Sequence, residues 1–238
     1  MFRRPRLRRT ARFATALCGL SVVAVIFIRA APSARAFTSQ ATQTTWAAQI
    51  SGDSGRLWGV SFVDVSHGWA VGDHGVFATT NGGGTWSKQA TPPVPSLLGV
   101  QFIDSSHGWA VGTSGTILAT ANGGATWTAQ SSGTTEYLEG IHFVDTAHGW
   151  AVGGALGGSG TIRVTSDGGA TWTGQTSGTP NPLVHVSAVN PSHAWIAGSS
   201  VLATSNGGST WATQSTPSGE AFVGIAFASA SRGWAVGT

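Results

Sequence analysis

The sequence predicts an all-β fold built from repeated four-stranded sheets, on three observations. Ten of the eleven tryptophans fall into two alternating series. Each Trp of the second series precedes the next Trp of the first by 23 residues, whereas the onward distance varies from 16 to 22. Short runs of β-branched and aromatic residues alternate with glycine-rich turns. Constant spacing with insertions at one place is typical of tandem structural repeats.

The two Trp series define one repeat. The first series lies in HGWAVG or a close variant, and the second closes segments such as TSDGGATW. The first contains Trp69, Trp109, Trp150, Trp195 and Trp234, and the second contains Trp46, Trp86, Trp127, Trp172 and Trp211. Residues 97–130 contain four short strand-like runs: LLGVQFID, HGWAVG, TILATA and ATWTAQ. Four strands in about 40 residues, repeated along the chain, predict the blades of a β-propeller.

Glycines support this interpretation at two places in each repeat. One face of the predicted first strand carries a column of glycines, whose missing side chains would let neighbouring blades approach: Gly59, Gly99, Gly140 and Gly224. Glycine pairs follow the third strand, and they predict a turn with positive φ before the fourth: Gly82-Gly83, Gly123-Gly124, Gly168-Gly169 and Gly207-Gly208.

The repeats divide the chain into a leader and one propeller domain at residues 37–238. We expect four full blades at about 57–90, 97–130, 138–176 and 183–215, with a partial blade at 222–238. Residues 44–50 would supply a closing fourth strand as a second partial blade. An open ring would expose apolar faces and unpaired edges, so we predict a truncated larger propeller. A five-bladed ring whose last blade lacks its third strand is the alternative.

Residues 1–36 have the pattern of a signal peptide. Six arginines between Arg3 and Arg12 precede an apolar run from Phe13 to Ile28, and Ala34-Arg35-Ala36 resembles a cleavage site. The apolar run is shorter than the ~20 residues of a membrane-spanning helix, so a retained anchor is the less favoured alternative. We therefore predict an exported protein that is secreted, periplasmic or at the cell surface.

Removal of this leader would reverse the sign of the net charge. Eight of the twelve basic residues lie in it, and the remaining four stand against nine carboxylates, for a formal charge of −5. Such a surface disfavours nucleic acid and anionic lipid as partners. The one cysteine, Cys18, is also in the leader, so the mature chain would have neither disulfides nor thiolate metal sites.

The segments TSDGGATW, TTNGGGTW, TANGGATW and TSNGGSTW resemble the Asp-box, or bacterial neuraminidase repeat. Coupled with FVDVSHGWAVG and FIDSSHGWAVG, they resemble the propeller family of photosystem II stability and assembly factors over residues 44–238. Asp167 matches the Asp-box, whereas Asn81, Asn122 and Asn206 replace its Asp and keep an acceptor oxygen. The resemblance implies a non-catalytic propeller that binds an assembling membrane protein complex, in the lumen of a photosynthetic cell.

The order of strands separates two faces of the predicted ring. We call the face with the DxxHG and glycine-pair turns the turn face, and the face with the variable Gly loops and the connections between blades the loop face. The turn face repeats almost residue for residue. Its aspartates and histidines are therefore predicted to hold the turns and not to bind metal: Asp64, Asp104, Asp145, His67, His107, His148 and His193. No metal or other cofactor is predicted.

The loop face differs from blade to blade, so we predict partner binding there. The candidate residues are Asp53, Arg56, Trp58, Asp73, His74, Glu136, Tyr137, Glu139 and Glu220. Glu139 is the strongest candidate, because a carboxylate in an apolar column is costly unless it is used. Its counterparts in the other repeats are Trp58, Leu98, Val184 and Val223. If Glu139 instead lies at an exposed strand end, its carboxylate needs no functional explanation. Trp58 is either a contact residue at the mouth of the channel or a core aromatic.

Two other functions remain open from the sequence. A sialidase-like glycoside hydrolase needs three arginines, a tyrosine beside a glutamate, and an acid; Tyr137 adjoins Glu136, and Arg56, Arg163 and Arg232 are present. Arg232 stands at a turn-face position and would not converge with Arg56, so a non-enzyme is favoured. Low charge and loop aromatics also fit a carbohydrate- or surface-binding module of a secreted protein, which makes a glycan the alternative to a protein partner.

Overall fold

The computed structural model describes residues 47–155, 158–216 and 220–238. Within these ranges the regular structure is antiparallel β-sheet, apart from one turn of 3-10 helix at Thr113–Gly115. No helix in them is long and apolar enough to span a bilayer. The predicted signal peptide at 1–36 and Trp46 lie outside the described residues.

Four sheets contain four strands each. The first has β1 (Leu57–Phe62), β2 (Gly68–Gly72), β3 (Gly75–Thr79) and β4 (Ser87–Lys88). The second has β5 (Leu97–Phe102), β6 (Gly108–Gly112), β7 (Ile117–Thr120) and β8 (Thr128–Gln130). The third has β9 (Leu138–Phe143), β10 (Gly149–Gly153), β11 (Thr161–Thr165) and β12 (Thr173–Thr176). The fourth has β13 (Leu183–Asn190), β14 (His193–Gly198), β15 (Val201–Thr204) and β16 (Ala212–Thr213).

A fifth sheet pairs β17 (Phe222–Ser229) with β18 (Arg232–Gly237). In every sheet consecutive strands are antiparallel neighbours, which is the meander of a propeller blade. The first strands of successive sheets, β1, β5, β9, β13 and β17, contact one another along the inner surface. The predicted β-propeller with four-stranded blades is confirmed.

Residues 47–50 are the described part of the strand predicted at 44–50, and they form no strand. A strand needs a hydrogen-bonded neighbour, and no described strand lies beside these residues. Gln49 nevertheless contacts the first blade through its side chain. Its Nε2 donates to the carbonyl oxygen of Gly82 at 3.1 Å, and its Oε1 accepts a hydrogen bond from Trp86 Nε1 at 3.1 Å.

The same side-chain contact joins the first four blades to one another, and we call it the interblade latch. Between the second and third blades, Gln130 Nε2 donates to Gly168 O at 3.0 Å, while Trp172 Nε1 donates to Gln130 Oε1 at 3.0 Å. Gly168 O also accepts Trp109 Nε1 at 3.2 Å. The glutamine always stands three residues after a Trp of the second series, and the latch recurs at Gln89 and Gln175.

Stacked aromatic rings reinforce the latch. Trp109 lies flat on Phe143 of the next blade, with ring centroids 3.6 Å apart, and Phe143 meets Trp172 edge-on at 5.8 Å. Trp69, Phe102 and Trp127 repeat this arrangement one blade earlier. The Trp of one blade, the Phe of the next and the second Trp therefore form one continuous buried contact across each such junction.

The junction between the third and fourth blades departs from this pattern. Ala188 occupies the place of the stacking Phe, and Trp150 packs in a cluster of aliphatic residues. Trp150 is 1% exposed, and its indole N–H has no acceptor among the described residues. This junction keeps the Gln175 latch but lacks both the stacked ring and the tryptophan hydrogen bond.

The DxxHG and glycine-pair turns support each other on the turn face. Asp104 Oδ1 accepts the amides of Ser106 and His107 at 2.7 Å, and its Oδ2 lies 2.9 Å from His107 Nδ1. The amides of His107 and Ser106 hold the pKa of Asp104 below its ordinary value. Gly123, with φ +70°, donates to Ser106 O at 2.8 Å, which places both turns on one face. The predicted turn-holding role of this aspartate is confirmed.

Loss of the latch should destabilise the propeller. Gln130→Ala leaves the buried indole N–H of Trp172 without its acceptor, which costs about 1–3 kcal/mol in the free energy of unfolding. Urea denaturation measures the change. Gln214→Ala is the matched control, because Gln214 holds the same repeat position but its side chain donates only to Ala212 O, two residues earlier in the chain. Equal losses in the two variants would contradict the proposed role of the latch.

Close approach of the first strands should make one glycine irreplaceable. A Cβ at Gly99 would lie 2.6 Å from Glu139 O of the next blade, a backbone atom that moves only with its strand. We expect Gly99→Ala to lower the free energy of unfolding by about 1–3 kcal/mol, as measured by thermal or urea denaturation. At Gly224 the same methyl meets only the end of the Val236 side chain at 3.0 Å. Gly224→Ala should therefore be milder, and the opposite order would refute this explanation.

Candidate binding site on the inner surface

Each first strand contains a β-bulge that turns one extra side chain out of the blade packing. In β5 the register steps from Leu97 opposite Gly112 to Gly99 opposite Val111, which leaves Leu98 without a partner. A bulge re-aims the extra residue and disrupts the hydrogen-bond ladder locally. The equivalent extra residues are Trp58, Glu139, Val184 and Val223. They are the same residues that occupy equivalent positions when the repeats of the sequence are aligned.

The five bulge side chains line one cavity of about 540 Å³ on the inner surface of the array. We call this cavity the inner pocket, and the side chains that line it are Trp58, Val60, Leu98, Val100, Thr113, Tyr137, Glu139, Ile141, Val184, His185 and Val223. Four of the five bulge positions are apolar and one is a carboxylate. The blades therefore contribute four different side chains to a shared wall, with valine in the last two blades.

Trp58 is held in a fixed orientation at the edge of the inner pocket. Its Nε1 donates to Asp73 Oδ1 at 2.9 Å, and Asp73 Oδ2 accepts the Arg56 amide at 3.1 Å. The Trp58 hydrogen bond is the largest cause of the lowered pKa of Asp73. The Arg56 guanidinium lies 5.7 Å from the centroid of the Trp58 ring. The ring is 50% exposed, so this tryptophan is a surface aromatic and not a core residue.

Two further predicted residues pair beside this tryptophan cluster. His74 Nδ1 lies 2.8 Å from Asp53 Oδ1, and Asp53 Oδ2 accepts the amide of Gly55 at 3.0 Å. Burial acts to raise the pKa of Asp53, but the hydrogen bonds from His74 and Gly55 outweigh it and lower the pKa. On the loop face of the first blade, side-chain hydrogen bonds therefore join the segment before β1 to the loop between β2 and β3.

Glu139 is half-buried in the inner pocket among apolar side chains. Desolvation raises the pKa of its carboxyl group. Among the described residues, no cation stands within ion-pair distance of this carboxylate, and no side-chain hydrogen bond reaches it. The pocket thus holds one acidic group that has neither a counter-charge nor a side-chain hydrogen bond among the described residues.

His185 is a pocket residue that the sequence reasoning missed. It interrupts the glycine column, since it lies opposite Ala197 where Gly99 lies opposite Val111 in the second blade. The smaller Ala197 in place of valine makes room for the imidazole. Its Nδ1 accepts the amide of Ile225 at 3.3 Å, and desolvation lowers its pKa, so the ring is neutral at neutral pH. The break in the glycine column was a visible signal.

The remaining predicted residues are more scattered. Tyr137 lines the inner pocket and is 50% exposed, with Glu136 next to it in the chain. Glu220 is exposed just before β17 and does not line the pocket. The structure therefore brings Trp58, Tyr137 and Glu139 together in the pocket and groups Asp53, Arg56, Asp73 and His74 beside Trp58.

The three arginines considered for a hydrolase do not share a pocket. Arg56 lies over Trp58, Arg163 Nη2 donates to Gly133 O at 2.7 Å on the outer part of the third blade, and Arg232 begins β18 on the turn face. Throughout the described ranges, no group of three or more His, Cys, Asp or Glu side chains has the arrangement of a metal site.

The blades and their shared pocket define this chain as a β-propeller whose blades differ mainly along one inner surface. Residues 85–139, which span the whole second blade, match the family described as photosynthesis system II assembly factor YCF48. The chain is thus a β-propeller similar to the photosystem II assembly factors, by a match to 55 of its 238 residues. No curated protein matches the chain.

Solved structures share the propeller fold at low sequence identity. YCF48 bound to a D1 peptide is 20% identical with a TM-score of 0.56, and the match covers 73% of this chain but only 57% of that one. An ancestral GH74 enzyme is 19% identical with a TM-score of 0.63, covering 77% and 27%. The GH74 xyloglucanase of Xanthomonas campestris is 14% identical with a TM-score of 0.54, covering 72% and 32%. Identities this low establish the fold alone.

Acid should destabilise the propeller through His142, which stands beside the pocket on β9. Desolvation, and secondarily the charge of nearby His185, lower its pKa from 6.5 to about 4. The unfolded chain therefore binds a proton that the folded chain excludes between pH 6.5 and 4, so stability falls as the pH drops through that window. In His142→Gln, which copies Gln101 of the second blade, the fall should shrink by on the order of 2 kcal/mol.

Urea denaturation at pH 7, 5.5 and 4 measures this dependence. His193→Gln, on the turn face and outside the inner pocket, serves as the control and should keep the wild-type pH dependence. A His142→Gln variant that loses as much stability as the wild type between pH 7 and 4 would rule out His142 as the source.

Proposed function

We propose that this protein is an exported, non-catalytic β-propeller that binds a protein partner through the inner pocket and the adjoining loop face. One observation carries the proposal: the bulge column changes from Trp58 to Leu98 to Glu139 and then to valine in the last two blades, whereas the turn face is almost uniform. Uniform residues maintain the blades, so the varied column is free to specify a ligand. Export is inferred from the pattern of residues 1–36.

Similarity to the assembly-factor family supports a polypeptide as the ligand. The structure of YCF48 bound to a D1 peptide is that of a propeller carrying a peptide. By analogy, the partner of this chain is a segment of a protein, and the family match favours a component of an assembling membrane protein complex. The nine carboxylates argue against nucleic acid, because they face only four basic residues outside the predicted leader.

Hydrolysis is the less favoured function although GH74 enzymes share the fold. Most glycoside hydrolases need two carboxyl groups on opposite sides of one bond, and the sialidase type needs three converging arginines, which Arg56, Arg163 and Arg232 do not provide. Asp64, Asp104 and Asp145 are engaged in their own turns, and Glu139 is the one carboxylate among the described residues that line the inner pocket. A lone carboxylate can bind a ligand but cannot supply both an acid and a nucleophile.

Glycan binding is the second candidate, because two half-exposed aromatic rings, Trp58 and Tyr137, border the inner pocket. Aromatic faces of this kind pack against the apolar faces of sugar rings as well as against peptide side chains. The pocket nevertheless offers few hydrogen-bonding groups to sugar hydroxyls, since most of its side chains are aliphatic. A peptide with apolar side chains is the better match to this lining.

A peptide array that tiles the D1 sequence, together with a glycan array, tests the proposed function. We expect saturable binding to one or more peptides, weakened about tenfold or more by Trp58→Ala, which removes a large contact surface. Trp211→Phe on the turn-face side is the control for general damage, because Trp211 lies outside the inner pocket. Saturable sugar binding abolished by Trp58→Ala, or release of sugars from xyloglucan, would replace this proposal with one of its alternatives.

A further inference from the structure

We infer that the inner pocket accepts a Lys or Arg side chain of the partner, flanked by apolar residues that cover the walls around Glu139. This inference rests on the proposed function and adds the chemistry of the bound segment. The partner is thus recognised through a basic residue set in an apolar stretch of polypeptide.

The carboxylate of Glu139 has no partner within the described chain. A charged group among apolar side chains is unfavourable when it has neither a counter-charge nor hydrogen bonds. Such a group is retained without penalty when a ligand supplies the opposite charge, and a half-buried position strengthens that ion pair relative to one at an open surface. The apolar counterparts at Leu98, Val184 and Val223 indicate that packing alone would be satisfied by an aliphatic residue here.

The described chain leaves that counter-charge to a ligand. His185 is the only other titratable nitrogen in the pocket lining, and it is neutral at neutral pH because desolvation lowers its pKa. Arg56 is the nearest arginine on the first blade, but its guanidinium lies on Trp58 and its surroundings include Asp73. Neither group therefore supplies a counter-charge to the carboxyl group of Glu139.

The charges around the pocket have the same sign. The loop-face candidates include five carboxylates and one guanidinium: Asp53, Asp73, Glu136, Glu139, Glu220 and Arg56. An acidic surface around an acidic pocket attracts basic segments over several ångströms and repels acidic ones. The charge of the loop face therefore selects for the same class of partner as the charge inside the pocket.

The side chains that line the inner pocket determine which residues of the partner can flank its basic residue. Leu98, Val184 and Val223 offer aliphatic contact, while Trp58 and Tyr137 present rings that are each half-exposed. The aliphatic stem of a Lys or Arg side chain can lie on such a wall while its charged end reaches a carboxylate. Cations also bind well to tryptophan faces, as Arg56 does on Trp58 in this chain.

Selection from a phage-displayed library of random peptides tests the inference. Wild-type protein should enrich peptides that carry Lys or Arg between apolar residues. Glu139→Gln keeps the size and polarity of the side chain and removes its charge, so it should enrich apolar peptides without the basic residue. For a synthetic peptide from the wild-type selection, fluorescence anisotropy should show binding about tenfold weaker to Glu139→Gln.

Asp167→Asn is the matched control, because it also removes one carboxylate but lies on the turn face outside the pocket, where the other blades already have Asn. It should keep the preference for basic residues and most of the affinity. In the reciprocal experiment, norleucine in place of the peptide's lysine should weaken binding to wild type but not to Glu139→Gln. Urea denaturation of both variants verifies that they remain folded.

The outcomes separate this inference from the proposed function. Enrichment of acidic peptides, or the same peptides for wild type and Glu139→Gln, would overturn the basic-residue inference and leave protein binding intact. Enrichment of no peptide above background, alongside sugar binding on the glycan array, would overturn the proposed function and this inference with it.

Discussion

One glutamine at each junction between the first four blades is the constraint on which their arrangement depends. The outer strands are short, and β4 and β16 have two residues each. Backbone hydrogen bonds alone therefore hold these strands only weakly in their sheets. The interblade latch supplements that pairing with two hydrogen bonds from one side chain to the neighbouring blade. Each latch glutamine lies within the constant 23-residue segment, which runs from the Trp before the glutamine, across the junction, to the Trp of the next blade.

Much of the fold could be predicted from the sequence because each repeat encodes its own strands and turns. Alternating residues define the faces of a strand, and glycine pairs require a particular turn, so local rules are sufficient. The latch could not be predicted in the same way. Gln130 recurs visibly three residues after a tryptophan, but its acceptor Gly168 lies in another blade, and only the packing of blades brings the two together.

The candidate site was predicted less completely, for a related reason. Glu139 was identified because it breaks an apolar column, and the structure shows that this column consists of bulge residues facing one pocket. His185 was missed because its place in the pocket depends on the absence of a glycine from the column and on the small Ala197 opposite. A break in a repeated column of small residues proves as informative as a charged residue.

Bulge positions have a consequence for how such proteins diverge. Because each extra residue stands outside the strand pairing, its side chain can be exchanged without altering the contacts that join the blades. Five independent positions, one in each blade, face one cavity. A substitution at one of them, such as Glu139, would change which ligand binds while the contacts between blades remain intact. Specificity and stability are thereby assigned to different residues of the same strand.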